Sequence, residues 1–179
     1  MKLSRLTIAL LGTATIMGAY PTYSWAQDPE TPDVAAPAEA GPSVTDFYND
    51  GISQFEAEDY AQAIVSFTEA IQLNPDFAEA YLYRGAAYRA LDETEVAIID
   101  INRAIALDPE LGRAYLLRAE INYELGNAQQ ALSDAQQALA LDPTLGSARL
   151  YQGLVALQAG DSQTAISEFT AAIAQDPTD

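Results

Sequence analysis

From residue 44 onward, small and apolar positions alternate with polar ones in a pattern that returns every 34 residues. Ala63, Ala97, Ala131 and Ala165 share one phase of it, and Ala70, Ala104, Ala138 and Ala172 share another. Pro75, Pro109, Pro143 and Pro177 keep the same step. So do Gly51, Gly85 and Gly153, with Ala119 in the remaining slot. The pattern divides 44–179 into four units: 44–77, 78–111, 112–145 and 146–179. Self-similarity at this length marks stacked repeats that bury a shared core against their neighbours.

Within each unit the spacing predicts two helices. In the second unit, Ala78-Glu79-Ala80-Tyr81-Leu82-Tyr83 opens a stretch of helix formers that ends near Leu91. Asp92 and Glu95 then have the spacing of a capping box that restarts the chain. Val96, Ile99, Ala104 and Leu107 carry the apolar spacing of a second helix, closed by Asp108-Pro109. Units three and four mark the internal turn with Gly126-Asn127 and Gly160-Asp161, a glycine stop and a polar restart. Small residues at Gly85 and Ala97 let the paired helices approach closely.

This skeleton resembles the tetratricopeptide repeat family over all of 44–179. Its aromatic slot holds Phe47, Tyr81 and Tyr115, but Arg149 in the last unit. The tyrosine slot is kept only by Tyr88, and the phenylalanine slot holds Phe67, Ile101, Ala135 and Phe169. The resemblance implies an all-α fold, a right-handed superhelical solenoid of four helix-turn-helix repeats. It implies a non-enzymatic scaffold for protein–protein interaction, and a scaffold does not name its partner. One departure repeats. Arg84 and Arg118 stand where the family usually has leucine, each with an acid sixteen residues later, Asp100 and Asp134. Two salt bridges within repeats are predicted, each worth only about 0.2–1 kcal/mol if solvent-exposed. The outer units, with Asp50/Ser66 and Gln152/Glu168, are expected to lack them.

The resemblance also implies a concave groove lined by one stripe of each first helix. In unit two the stripe is Glu79, Leu82, Tyr83, Ala86, Arg89 and Ala90. Its counterparts are Tyr48, Ile52 and Phe55; Arg113, Leu116, Leu117, Glu120 and Tyr123; and Leu150, Tyr151, Leu154 and Leu157. Tyrosines among leucines suit a peptide seat, because aromatic rings give contact area at little entropic cost. Some of these side chains are alternatively expected to bury surface between repeats. A subset of the family grips the acidic tail of heat-shock chaperones, at positions that fall here on Tyr48, Ile52, Tyr83, Arg113 and Leu117. Only Arg113 is basic and the sole lysine is Lys2, so no acidic chaperone tail is expected. The mixed charges Arg89, Arg113, Glu79, Glu120 and Glu124 favour an amphipathic protein segment instead. The last unit is expected to leave Leu154, Ile166, Phe169 and Ile173 partly uncovered, with Arg149 blunting that flank. The alternative function is thus a structural assembly module, joining a larger envelope complex or homodimerising through the C-terminal repeat.

Composition narrows the chemistry further. The 179 residues include no His and no Cys, which excludes disulfides, thiolate or imidazole catalysis and zinc-thiolate sites. A net charge of −18 excludes a nucleic-acid partner, whose phosphates need a basic footprint. The acid clusters Glu56/Glu58/Asp59 and Asp92/Glu93/Glu95 fall at turns, where carboxylates cap helices. No D-x-D-x-D-G loop, phosphate loop or G-x-S-x-G occurs, so no metal, cofactor or catalytic residue is expected.

Ahead of the repeats, Lys2 and Arg5 precede an apolar run from Leu6 to Met17, then Ser24-Trp25-Ala26. Residues 1–26 read as a secretory signal cleaved after Ala26, and the protein as periplasmic or extracellular. The rival is a retained membrane anchor, since Leu6–Ser24 is free of charge. Residues 27–43, acidic and proline-rich with Val34 as the one large aliphatic, read as a disordered linker. Losing Lys2 and Arg5 takes the charge from −18 to −20.

Overall fold

The computed structural model describes residues 41–175, and among them no residue is in a strand. Residues 1–40 and 176–179, on which the predicted signal segment 1–26 and most of the predicted linker fall, lie outside the described residues. Eight helices follow in order: α1 Val44–Glu56, α2 Tyr60–Leu73, α3 Ala78–Ala90, α4 Thr94–Leu107, α5 Gly112–Glu124, α6 Ala128–Leu141, α7 Gly146–Gln158 and α8 Ser162–Gln175. Each packs on the next, first within a unit and then across to the following one. The fold is an all-α solenoid of four helix-turn-helix repeats.

The turns explain the helix boundaries. At the amino end Ser43 and Asp46 form a capping box: the Ser43 Oγ accepts from the Asp46 N–H, and the Asp46 carboxylate accepts from the Ser43 N–H. Within every unit a left-handed residue stands just past the end of the first helix: Glu58 (φ 61°), Asp92 (φ 62°), Gly126 (φ 77°) or Gly160 (φ 82°). The next N–H closes back on the last turn, from Glu93 to the Tyr88 carbonyl at 2.9 Å and from Asn127 to Asn122 at 2.8 Å. The expected Asp92/Glu95 capping box is therefore absent. The N-cap of α4 is Glu93, without a side-chain cap bond, because Asp92 is committed to the left-handed turn.

Inside a unit the helices meet where a small residue faces a large one. A Cβ at Gly51 would lie 2.5 Å from the Phe67 ring, and one at Gly153 would lie 2.4 Å from Phe169. At Gly85 the neighbour is Ile101, with Cγ1 at 3.1 Å. Unit three holds Ala119 and Ala135 at these slots, both fully buried. Between units the contact is made by Ala80, Ala114 and Ala148, each 0% exposed. Leu82 joins the central core with Ala97, Ile101, Ala104, Ala114 and Ile121.

Both predicted Arg–Asp pairs form, and they are bidentate. Arg84 Nε and Nη2 donate to Asp100 at 2.7 and 2.8 Å; Arg118 Nε and Nη2 donate to Asp134 at 2.9 and 2.7 Å. They are not surface bridges. Asp100 and Asp134 are only 4% and 7% exposed. Each guanidinium also reaches the preceding unit, where Arg84 Nη1 donates to Thr68 Oγ1 at 3.1 Å and Arg118 Nη1 to Asn102 Oδ1 at 2.7 Å. Each stacks 5.5 Å from the ring one turn before it, Tyr81 or Tyr115. The pair is thus a clasp across two repeats, with its charge fully partnered.

The expectation that both outer units lack such a pair is corrected at the fourth. There Arg149, in the aromatic slot, donates to Glu168 at 3.4 Å. The guanidinium has moved back one helical turn and the acid has gained a methylene. In unit one a neutral bond from Ser66 to Gln54 at 2.7 Å stands in its place.

Candidate functional site

The last turn of α1, the middle and end of α3 and one face along α5 enclose two adjoining cavities. The first, about 230 Å³, is lined by Phe55, Leu82, Tyr83, Ala86, Arg113, Leu116, Leu117, Glu120 and Leu145. The second, about 490 Å³, is lined by Phe55, Tyr60, Ala86, Arg89, Ala90, Asp92, Thr94, Leu117 and Glu124. They share Phe55, Ala86 and Leu117, so they form one continuous seat. Its floor is apolar because Leu82 belongs to the core and Ala86 leaves room above it.

Polar groups ring this floor. Arg89 donates to Glu120 at 2.7 Å and to Glu124, so a cation of α3 is neutralised by two acids of α5. Burial pushes the Glu120 carboxyl above its usual range, and Arg89 offsets part of that effect. Arg113 is different. It is exposed, and its one side-chain bond among the described residues is to the Tyr83 hydroxyl at 3.4 Å.

The predicted stripe is only partly gathered here. Phe55, Leu82, Tyr83, Arg89, Arg113, Leu116 and Leu117 line the seat. Tyr48 packs instead into an aromatic cluster, 4.8 Å from Phe77 and 5.9 Å from Tyr83, and its phenol is pushed up to about 12 by burial. Ile52 and Glu79 are half-buried outside both cavities. Tyr123 and Tyr151 meet each other at 5.8 Å, and burial pushes Tyr151 to about 12. Leu150 and Leu154 line a separate cavity of about 380 Å³ on the α7/α8 flank, with Gly146, Ser147, Phe169, Ala172 and Ile173. Several tyrosines of the stripe are therefore packing surface between repeats.

Four lining residues escape a stripe read along first helices alone. Tyr60, Asp92 and Thr94 come from the turn and start of second helices, and Leu145 is the N-cap of α7. Tyr60 and Thr94 occupy equivalent slots, a periodic signal that a search of second helices finds. Among the described residues no group of three or more acidic, His or Cys side chains is placed to hold a metal ion. Every buried side-chain polar atom among them has a partner.

An apolar seat with a polar rim, carried on rigid helix pairs, defines a helical-repeat binding scaffold. Family models described as TPR repeat and tetratricopeptide repeat match residues 53–92, 78–111, 100–146 and 116–179. The chain belongs to the tetratricopeptide repeat family. No curated protein matches it significantly over its sequence. Among solved structures it is similar to MamA, at 25% identity over 75% of this chain and 78% of that one, with a TM-score of 0.67. The Arabidopsis OM64 TPR domain is 26% identical over 65% of this chain and 96% of its own, with a TM-score of 0.63. The first TPR domain of Spaghetti, solved with an HSP90 peptide, shares the fold at 24% identity, covering 66% and 94%, with a TM-score of 0.63.

Proposed function

We propose that this protein is an exported scaffold that seats an amphipathic segment of a partner protein in the groove of α1, α3 and α5. The observation that carries the reading is the continuous apolar seat between Phe55, Tyr83, Ala86 and Leu117, rimmed by Arg113, Glu120 and Glu124. Apolar side chains of the partner fill the two cavities, and Arg113 offers one guanidinium to an acid beside them. Arg89 is held by Glu120 and Glu124 and offers none. An acidic chaperone tail fits poorly, because Tyr48, Ile52, Tyr83 and Leu117 stand where a cluster of cations would be needed. Export rests on the basic start, apolar run and Ser24-Trp25-Ala26 of the sequence, and mass spectrometry of the protein from cells should find an amino terminus at Gln27.

The test is a display selection of random amphipathic peptides on the purified array. The wild type should enrich peptides with two or three apolar anchors. The double variant Tyr83→Ser, Leu117→Ser should lose them while keeping its helical circular dichroism. Equal binding by both proteins overturns the reading.

End-on assembly is a second reading, favoured by the separate cavity that Leu150, Leu154, Phe169 and Ile173 form on the α7/α8 flank. In that reading the protein joins a larger assembly through its last unit.

A further inference from the structure

Unit four repeats the interior of unit one, and this indicates what covers its bare flank. Phe67-Thr68-Glu69-Ala70-Ile71 of α2 returns in α8 as Phe169-Thr170-Ala171-Ala172-Ile173. The local geometry returns with it. Thr68 and Thr170 each donate a hydroxyl to the carbonyl four residues back, Ile64 or Ile166, at 2.7 Å. Phe67 and Phe169 each fill the space over a glycine, Gly51 or Gly153.

The outward faces differ. The α2 face is covered by α3, whose Ala80 seats on buried Ala70 and Ile71, with Tyr81 beside them. Arg84 of α3 then reaches Thr68. On α8 the same face is open: Ile173 is 64% exposed, Thr170 is exposed, and a cavity of about 380 Å³ lies between Leu150, Leu154, Phe169 and Ile173. A contiguous apolar face of this kind is a helix seat.

Building on end-on assembly, we propose that the α7/α8 flank docks one helix of a partner protein, and that this helix carries the chemistry of α3. Its pattern is small-x-small-aromatic-x-x-Arg, as in Ala78, Ala80, Tyr81 and Arg84. The small residues let the helix lie close to Ala172 and Ile173, and the guanidinium reaches Thr170. The occupant is not the opposite end of another copy. In α1 the corresponding positions are Val44, Asp46, Phe47 and Asp50. Asp46 brings an exposed carboxylate, held in the capping box, to the slot where Ala80, Ala114 and Ala148 are fully buried. Asp50 brings a second acid in place of the arginine. With acids at both positions, α1 does not match the α8 face, so copies do not stack head to tail.

The test uses a side-chain-crosslinked helical peptide of residues 77–91, fluorescently labelled, titrated with the whole protein. Binding is expected with the wild type and with the groove variant Tyr83→Ser, Leu117→Ser, and is weakened about tenfold or more by Ile173→Asp. Changing Arg84 of the peptide to Met, or Thr170 of the protein to Val, should each weaken binding, and the two losses should not add. A crosslinked peptide of residues 43–57 should not bind. Equal binding by the two peptides, indifference to Ile173→Asp, or a dimer of the protein alone that Ile173→Asp dissolves overturns the proposal. Because the groove variant leaves this flank intact, loss of either activity is scored separately from the other.

Discussion

At Gly51 and Gly153 the volume of a side chain is already occupied by a neighbouring phenylalanine ring. The pairing at this slot is one of compensating sizes: glycine with Phe67 or Phe169, glycine with Ile101, alanine with Ala135. Gly51→Ala is therefore expected to lower stability by about 1–3 kcal/mol in urea melts, and Phe67→Leu to restore part of it. The same change at Gly85 should cost less, because Ile101 sits at 3.1 Å rather than 2.5 Å. The left-handed turn residues make an opposite prediction. Glu58 and Asp92 carry side chains where Gly126 and Gly160 carry none. Glu58→Gly and Asp92→Gly should each raise stability by about 1 kcal/mol, seen as a higher denaturation midpoint with an unchanged slope. The glycine phase itself was legible in the sequence. Why Ala119 replaces it was not, since that depends on the size of Ala135, sixteen residues away across a packed interface.

Among the helices, the Arg84 and Arg118 clasps show how one side chain ties three elements. The constant sixteen-residue spacing disclosed the Asp partners. It did not disclose the burial of the carboxylates, nor the contacts to Thr68 and Asn102 on the preceding helix. Those exist only once units stack. Arg84→Met strands Asp100 without a counter-charge, so a loss of about 3 kcal/mol is expected, well above a surface pair. The double variant Arg84→Met, Asp100→Leu should recover much of it. A cycle with no coupling energy would contradict the clasp. Arg149–Glu168 stayed hidden because its arginine had shifted by one turn, out of the phase that the other units share.

For the whole array, titration of phenols links packing to pH. Tyr48 and Tyr151 are raised from 10 to about 12 by burial between repeats. Above pH 10 the unfolded chain loses these protons first. The stabilisation they give is thus complete below pH 10 and is lost as pH rises toward 12. Alkaline melts should show that decline, and Tyr48→Phe with Tyr151→Phe should flatten it. Charge acts at the same scale. Unit one carries seven acids and no base, so self-repulsion concentrates at the amino-terminal end and added salt should raise the melting temperature.

The sequence alone determined the number of helices, their phase and the stacking of four units, because a 34-residue period in small and apolar residues admits one register. The family resemblance, rather than the period itself, implied which side chains share the inner stripe. Tertiary structure decided what that stripe does. Phe55, Tyr83, Arg113 and Leu117 stay open as a seat, Tyr48 is drawn under Phe77, Tyr123 and Tyr151 close on each other, and Leu150 and Leu154 turn to the far flank. Periodicity specifies a face of one helix, whereas exposure depends on how far its neighbours reach across that face. That reach is set by side-chain volumes in adjacent units, which no single helix records.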